Sequence, residues 1–285
     1  AVDALDVEDN LGSAQSRIPD PILRWADTII FHHYLDPRLF GQWDYLREWR
    51  AGGGRVIWRT VGQSVEHNER VAAPYRADGL EIVRYSPRER NIPGYCGEDA
   101  LIRFYADPDE WCGWIGDEKI VIQFSQHLQQ RHPYTNYRFW REATAGLPAI
   151  ALGPGSETIG GFGEMALADM KTWLQHARAY LYTGTQPASV SLGLIEALMT
   201  GIPTVSIGPN HMQIFPYGPD LFEGHILAGA YSDVPAGARQ ALKRMLEDDE
   251  LAATFSQEQR RRAIETFGKD TVAKAWRDYL GDPNG

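Results

Sequence analysis

The chain has little cysteine: Cys96 and Cys112 are the only two among its 285 residues. Two thiols supply neither a cluster of metal ligands nor a disulfide framework, so we expect both to be free and predict no metal site. Free thiols are typical of a reducing compartment. The sequence therefore predicts a cytoplasmic protein, with peripheral attachment to a membrane left open.

Long apolar runs and an excess of basic residues are also missing. No apolar stretch reaches the roughly 18 residues that a membrane-spanning helix needs, so we predict no transmembrane segment. The 38 acidic residues outnumber the 28 basic ones, which gives a net charge of -10. Because binding to a phosphate backbone requires a basic face, nucleic acid is not expected as the main partner. The chain begins with Ala1 rather than methionine, so we expect a trimmed or processed product.

What the sequence does contain is an alternation of short apolar runs with amphipathic segments, which predicts an α/β protein with parallel sheets. We expect an irregular lead-in over residues 1–20 and two Rossmann-like domains, an N-terminal one over residues 1–115 and a C-terminal one over residues 116–285. The predicted strands are residues 28–31, 55–60, 80–85, 100–104, 119–124, 149–152, 179–183, 204–207 and 225–228. The predicted helices are residues 22–26, 38–50, 64–76, 137–144, 166–177, 189–200, 236–247, 251–266 and 269–280.

The stretch from Leu181 to Ile207 is predicted to be a strand, a loop, a helix and a second strand. Ser189 is predicted to open the helix, Gly201 has the position of a C-cap glycine, and Pro203 follows it. In a parallel sheet this unit places a helix N-terminus at the carboxyl edge. Free N–H groups and the helix dipole favour a phosphate there.

We therefore predict a phosphate-binding helix start in this stretch. The predicted contacts are the backbone amides of four consecutive residues: Ser189, Val190, Ser191 and Leu192. Glu196 lies about two turns into the helix, where its carboxylate would reach a ribose hydroxyl.

The same helix and strand carry the motif EAL-x-x-GIPTV, formed by Glu196, Ala197, Gly201, Pro203, Thr204 and Val205. With two Rossmann-like halves facing a cleft, it resembles the GT-B glycosyltransferases, and more narrowly the large retaining family four. The resemblance implies an enzyme that moves a sugar from a nucleotide diphosphate donor, of the UDP or GDP type, to an acceptor that it does not identify. It also implies retention, no metal and no cofactor, and a last helix that packs back on the first domain.

The resemblance assigns roles to further residues. The segment ADTIIFHH is similar to the family's strand that ends in a histidine near the donor sugar, which makes His32 the candidate catalytic residue. The segment ALIRFYAD is similar to one that ends in Gly-Val-Asp, so Asp107 is expected at the donor. The segment ALGPGSE is similar to a glycine-rich turn near the base, through Gly153 and Gly155. A packing role for His32 and a turn role for Asp107 before Pro108 are equally compatible with the sequence.

The sequence departs from the family's pattern at three places. Ala188 stands where the family has the first glutamate of a pair, which contacts the donor sugar or the reacting face. Residues 125–127 read Ser-Gln-His where the family has Gly-Arg-Leu, whose arginine binds the diphosphate, and Arg131 is the candidate replacement. Residues 1–26 match none of the family's first strands, so we expect a shortened first domain.

These departures keep a second hypothesis open, namely a protein that binds a nucleotide or nucleotide sugar and has lost turnover. A third hypothesis is an epimerase of the same fold. It would require acidic residues and a histidine in the cleft beyond those identified above.

Overall fold

The computed structural model of the chain describes residues 18, 20–32, 41–62, 65–211 and 218–281. The predicted lead-in over residues 1–20 lies almost wholly outside the described residues, as do the first three residues of the helix predicted from residue 38. The chain divides into two compact units, Ala1–Arg84 with Ile92–Ala100 and Tyr85–Asn91 with Leu101–Gly285. Each unit is built around a parallel sheet.

The sheet of the first unit has the strand order β1-β2-β3-β4. Thr28 pairs with Arg55 and Ile57 pairs with Glu81, both in parallel register. The middle of β2 is fully buried, as expected for a parallel strand that is covered on both faces. The strands are β1 (Thr28–His32), β2 (Arg55–Arg59), β3 (Glu81–Arg84) and β4 (Ala100–Leu101), and the helices are α1 (Asp20–Trp25), α2 (Trp43–Ala51) and α3 (Glu66–Ala77).

A buried ion pair joins α3 to β3 inside the first unit. The Arg84 guanidinium donates to both carboxylate oxygens of Glu69, at 2.6 and 2.8 Å. The backbone N–H and the thiol of Cys96 donate to the same carboxylate, at 3.0 and 3.2 Å. Burial, and then the Glu69 carboxylate, raise the pKa of the Cys96 thiol to about 11. Because the two charges satisfy each other, loss of either one would leave a buried charge without its counterion.

The sheet of the second unit has five strands in the order β6-β5-β7-β8-β9, and its neighbouring strands pair in parallel. β7 alternates between two cores: Tyr180 and Tyr182 pack with the next helix, whereas Ala179 and Leu181 face the opposite side. The strands are β5 (Glu118–Phe124), β6 (Ala149–Leu152), β7 (Ala177–Tyr182), β8 (Thr204–Ile207) and β9 (Tyr231–Ser232). The helices are α4 (Tyr137–Ala143), α5 (Leu167–His176), α6 (Leu192–Thr200), α7 (Pro235–Glu247), α8 (Asp249–Phe267) and α9 (Lys269–Leu280).

The chain passes into the second unit earlier than residue 115, the predicted end of the first domain. The Ala106 N–H donates to the Phe267 carbonyl at 3.0 Å, and the Asp107 carboxylate pairs with Lys269 at 2.9 Å. Trp111 is buried in the core of the second unit. Residues 101–115 therefore lie with the second unit, because their partners come from the end of the chain.

Two predicted strands differ from the structure. The strand predicted over residues 100–104 is limited to Ala100–Leu101. The strand predicted over residues 225–228 is wrong: this segment is a turn, in which the Leu227 N–H donates to the Leu221 carbonyl at 2.7 Å. Ile226 and Leu227 are buried, so the apolar pattern there reflects a packed loop rather than strand pairing. Within the described residues, every helix is too short or too polar to span a membrane.

Candidate functional site

Helix α6 begins at the carboxyl edge of the second sheet, between the parallel strands β7 and β8. Its N-cap is Ser191, whose backbone is extended and whose Oγ accepts a hydrogen bond from the Leu194 N–H at 3.3 Å. The helix therefore starts at Leu192 and not at Ser189, as the sequence predicted. Its C-cap is Gly201 in the left-handed region (φ 95°), which confirms the predicted helix end.

The amides before α6 differ in their availability to a ligand. The Ser189 N–H donates to the Tyr85 hydroxyl at 2.7 Å and is therefore not free for a phosphate, which corrects the prediction for this residue. The side chain of Val190 is buried, whereas that of Leu192 is 54% exposed. Among the described residues, the N–H groups of Leu192 and Gly193 have no partner, as expected for the first turn of a helix. The predicted phosphate contact stays a prediction, and the amides that are free to make it lie in the first turn of α6.

Glu196 lies in the second turn of α6 and is half-buried. Burial raises the pKa of its carboxyl group, the Glu110 carboxylate raises it further, and Lys171 opposes both. The Lys171 ammonium pairs with Glu110 at 2.8 Å and lies 5.0 Å from the centre of the Trp111 ring. A partly desolvated carboxylate accepts hydrogen bonds strongly, as the predicted ribose contact requires.

Arg131 lies beside the loop that leads into α6. Its guanidinium donates to the Thr185 hydroxyl at 3.1 Å and to the Gln126 carbonyl at 3.5 Å. Both acceptors are neutral, and within the described residues no carboxylate pairs with this exposed side chain. Arg131 is therefore a cation at the carboxyl edge of β5 and β7, and its predicted contact with a diphosphate stays a prediction.

Gly153 and Gly155 follow β6 and both have a positive φ, 104° and 80°. A Cβ atom on Gly153 would lie 3.0 Å from the Ser125 carbonyl oxygen, and one on Gly155 would lie 2.6 Å from His127 Nδ1. The two glycines therefore let the loop after β6 pack closely against the loop after β5. Their predicted contact with a nucleotide base stays a prediction.

Asp107 has partners within the second unit. Its carboxylate accepts hydrogen bonds from Lys269 Nζ at 2.9 Å and from the Asp109 N–H at 3.1 Å. The hydrogen bond from Lys269 lowers the pKa of this carboxyl group, and the Asp109 amide lowers it further. These contacts support the turn role that the sequence left open, and the predicted donor contact of Asp107 stays a prediction.

His32 is the last residue of β1, in the first unit, and is exposed. Its register partner on β2 is Arg59, whose side chain is buried. Partial desolvation, and then the Arg59 charge, lower the pKa of His32 from its ordinary value. The imidazole is therefore neutral at pH 7, and its predicted role at the donor sugar stays a prediction.

Sequence reasoning missed Tyr85, Tyr182, Lys171 and Glu110 as neighbours of the helix start and of Glu196. Tyr180 and Tyr182 alternate with Leu181 along β7, so the strand period placed both tyrosines on one face, towards α6. That signal was present in the sequence. No local pattern pointed to Tyr85, which reaches Ser189 across a separation of 104 residues.

A groove at the opposite edge of the second sheet is distinct from this site. It is lined by Lys119, Pro148, Trp173 and His176, at the amino ends of β5 and β6 and on α5. The predicted donor-binding residues do not line it.

No family model matches the chain. No curated protein matches it either. Solved structures do match it over most of its length. HepE of Anabaena, in a complex with UDP and glucose, is 14% identical with a TM-score of 0.67 over 92% of this chain and 80% of HepE.

Two further solved structures are similar to the same extent. A glycosyltransferase from Rickettsia africae is 10% identical with a TM-score of 0.66, over 92% of this chain and 79% of its own. TarM is 14% identical with a TM-score of 0.66, over 90% of this chain and 55% of TarM. At these identities the likeness shows the fold alone. The chain therefore has the GT-B fold of these glycosyltransferases, with two α/β units that are each built around a parallel sheet, as the sequence predicted.

Proposed function

We propose that this protein is a glycosyltransferase that moves a sugar from a nucleotide diphosphate donor, of the UDP or GDP type, to an acceptor of unidentified class. The observation that carries the proposal is the start of α6 at the carboxyl edge of the second sheet, with Glu196 one turn further on. The GT-B fold supports it, since HepE, which shares that fold, was solved with UDP and glucose.

The chemistry of the proposed reaction requires stabilisation of a leaving diphosphate. We infer that the Leu192 and Gly193 amides and the positive end of the α6 dipole stabilise the charge that develops on it. Arg131 supplies a cation at the same edge, and Glu196 holds the ribose hydroxyls. This set requires no metal, and the resemblance implies that the sugar is transferred with retention. His32 is proposed to orient the donor sugar as a neutral imidazole.

A protein that binds nucleotide sugars without turnover is the second candidate, and Ala188 favours it. The Ala188 N–H donates to the Thr185 carbonyl at 2.9 Å, so the residue closes a tight turn and offers no carboxylate to a sugar. The two candidates share the nucleotide site and differ only in consumption of the donor.

Calorimetric titration with UDP and GDP, followed by donor hydrolysis assays with UDP- and GDP-sugars, tests the proposal. We expect one of the two nucleotides to bind, and its sugar donor to be hydrolysed slowly in the presence of EDTA. Saturable binding with no donor consumed, with or without an acceptor panel, would favour the second candidate. Binding of neither nucleotide would reject both.

The site assignment has its own control. Glu196→Ala is expected to weaken nucleotide binding by about tenfold or more, because a charge-assisted contact to the ribose is lost. Glu142→Ala removes an exposed carboxylate at the end of α4 and is expected to leave binding unchanged. Equal affinity of wild type and Glu196→Ala would overturn the assignment of Glu196.

A further inference from the structure

Two buried tyrosine hydroxyls lie against the loop that precedes α6, residues 183–191. Tyr85, which directly follows β3 in the chain, is 0% exposed, and Tyr182, the last residue of β7, is 4% exposed. The Tyr85 hydroxyl accepts the Ser189 N–H at 2.7 Å. The Tyr182 hydroxyl lies beside the Ser191 hydroxyl and N–H and close to the Tyr85 hydroxyl. Burial raises the pKa of Tyr182 more than Ser191 lowers it, so the phenol stays protonated at neutral pH.

The position of the Tyr85 hydroxyl is set by packing within the second unit. Its ring stacks on Phe104, with the ring centres 4.9 Å apart and the planes 29° apart. Its carbonyl accepts a hydrogen bond from Arg103 at 3.2 Å, and Arg103 is itself paired with Asp220. The guanidinium of Arg103 lies 5.7 Å from the centre of the Phe267 ring. The hydroxyl is therefore a fixed point against which the loop is held.

The other end of the same loop is held by the segment before α4. The Asn136 side-chain amide donates to the Thr183 carbonyl at 2.9 Å, and the Gln186 N–H donates to the Tyr134 carbonyl at 2.8 Å. An irregular loop that is fixed at both ends presents the residues after it in one direction, which lowers the entropy lost when a ligand binds.

We propose that Tyr85 and Tyr182 are positioning residues for the donor's diphosphate. The Tyr85 hydroxyl holds Ser189 and the Tyr182 hydroxyl lies beside Ser191, so together they set the direction of the next amides, those of Leu192 and Gly193. This inference rests on the proposed function, and it deepens that function by assigning the diphosphate end of the site to two hydroxyls that do not touch the ligand.

A purely structural role for the two tyrosine hydroxyls explains their presence less well than the positioning role does. A phenylalanine would fill either position with the same ring, and a buried hydroxyl is unfavourable unless it is hydrogen-bonded. The Tyr85 hydroxyl meets this condition by accepting the Ser189 N–H, two residues before Ser191, the N-cap of the proposed anion-binding helix. The Tyr85 hydroxyl therefore acts on the geometry of the chain that leads into the helix start.

The test compares the nucleoside diphosphate that wild type binds, UDP or GDP, with its nucleoside in Tyr85→Phe and Tyr182→Phe, both made in the full chain. Each variant keeps the ring and removes one hydroxyl. We expect the affinity for the nucleoside diphosphate to fall about threefold to tenfold in Tyr85→Phe, the effect of one lost hydrogen bond, and to fall as well in Tyr182→Phe, whereas the affinity for the nucleoside stays unchanged in both. Tyr95→Phe is the matched control, since it removes a hydroxyl that donates to Glu98 at 2.7 Å in the first unit.

The outcomes separate this inference from the proposed function. An unchanged ratio of nucleoside diphosphate to nucleoside affinities in both variants would overturn it, even if the variants melt at a lower temperature. If wild type binds neither UDP nor GDP, the proposed function and this inference both fail. If wild type binds one of them and Glu196→Ala binds it about tenfold more weakly, but the tyrosine variants keep the wild-type ratio, only this inference fails. Should Tyr85→Phe not fold, Tyr182→Phe decides.

Discussion

At the scale of single residues, the proposed role of Glu196 in nucleotide binding makes opposite demands on the carboxyl group from those of folding. Its folded-state pKa is raised, chiefly by burial, so folding disfavours the ionised carboxylate. The contribution of this group to stability is therefore full below its unfolded pKa, about 4.3, and is lost as the pH rises through the raised folded value. Binding of ribose hydroxyls requires the ionised form, which is present only above that value.

Glu196→Gln is expected to separate these two effects. The variant should melt at a temperature equal to or above that of wild type at pH 7.5, because the desolvated charge is gone, and this difference should shrink towards pH 4. Nucleotide affinity at pH 7.5 should fall about tenfold. Thermal melts and calorimetric titration measure the two quantities, with Glu142→Gln as the exposed control. A variant clearly less stable than wild type at pH 7.5 would contradict the argument.

The chemical type of the residues at the helix start was predictable from the sequence, but their partners were not. The motif around Glu196 identified the helix, and the alternation of β7 was visible beforehand. The pairing of Asp107 with Lys269 spans 162 residues, and that of Ser189 with Tyr85 spans 104. Such contacts are set by the packing of distant segments, and a local pattern carries no information about them.

At the scale of elements, the end of α6 depends on a glycine for two separable reasons. Gly201 has a φ of 95°, and a Cβ atom there would lie 3.2 Å from Ser256 Oγ and 3.3 Å from Arg260 Cδ on α8. The left-handed backbone alone disfavours a side chain by about 1–2 kcal/mol. The close approach of α8 adds a second penalty.

Gly201→Ala is therefore expected to lower the free energy of unfolding by about 2–4 kcal/mol, roughly twice the effect of a positive φ alone. Gly146→Ala is the matched control, since Gly146 has a φ of 79° and no atom within 4 Å of the added Cβ. Urea unfolding of both variants gives the difference. Equal losses would show that α8 adapts without penalty.

Helix and strand positions were predicted best where caps and periodicity agree. The helix predicted over residues 236–247 is Pro235–Glu247, with proline in its first turn. The start of α6 was misplaced because Ser189 and Ser191 are both of a residue type that caps helices. Ser191 is the N-cap, and the Ser189 N–H instead donates to the Tyr85 hydroxyl, a contact that the sequence does not show. The strand predicted over residues 225–228 was wrong because its apolar residues are buried in a turn and not in a sheet.

At the scale of the whole molecule, the two compact units predict two unfolding events. A ligand that binds one folded unit stabilises that unit, by about 2.7 kcal/mol at a hundredfold excess over its Kd. Differential scanning calorimetry is expected to show two transitions, of which nucleotide shifts one. In Glu196→Ala, a tenfold weaker affinity should reduce this stabilisation to about 1.4 kcal/mol at the same nucleotide concentration, which about halves the shift. A single transition, or a shift of full wild-type size in Glu196→Ala, would contradict the prediction.

The GT-B fold followed from the alternation of strands and helices together with the motif at residues 196–205. The point of division between the units did not follow. Ala106 and Asp107 come directly after a strand-like run, yet they bond to Phe267 and Lys269 at the end of the chain. Contacts of this kind between the middle and the end of the chain do not change the amino-acid composition near residue 100, so the sequence does not show the boundary there.

The buried ion pair of the first unit also makes the protein convenient for chemical labelling. With the pKa of Cys96 at about 11, only about one thiol in ten thousand is ionised at pH 7, and the thiolate is the reactive form. Cys112 is half-buried, and its thiol donates to the Asp109 carbonyl at 3.3 Å. Maleimide at pH 7 is expected to add once, at Cys112, and Cys112→Ser should abolish the fast reaction in intact-mass spectra.

A dye attached to Cys112 would lie two residues after Glu110 in the chain. Glu110 pairs with Lys171, and both act on Glu196, so the dye would lie near the proposed nucleotide site. Nucleotide binding would then be measured as a fluorescence change from a natural cysteine, while burial and the Glu69 carboxylate keep the Cys96 thiol protonated and unreactive.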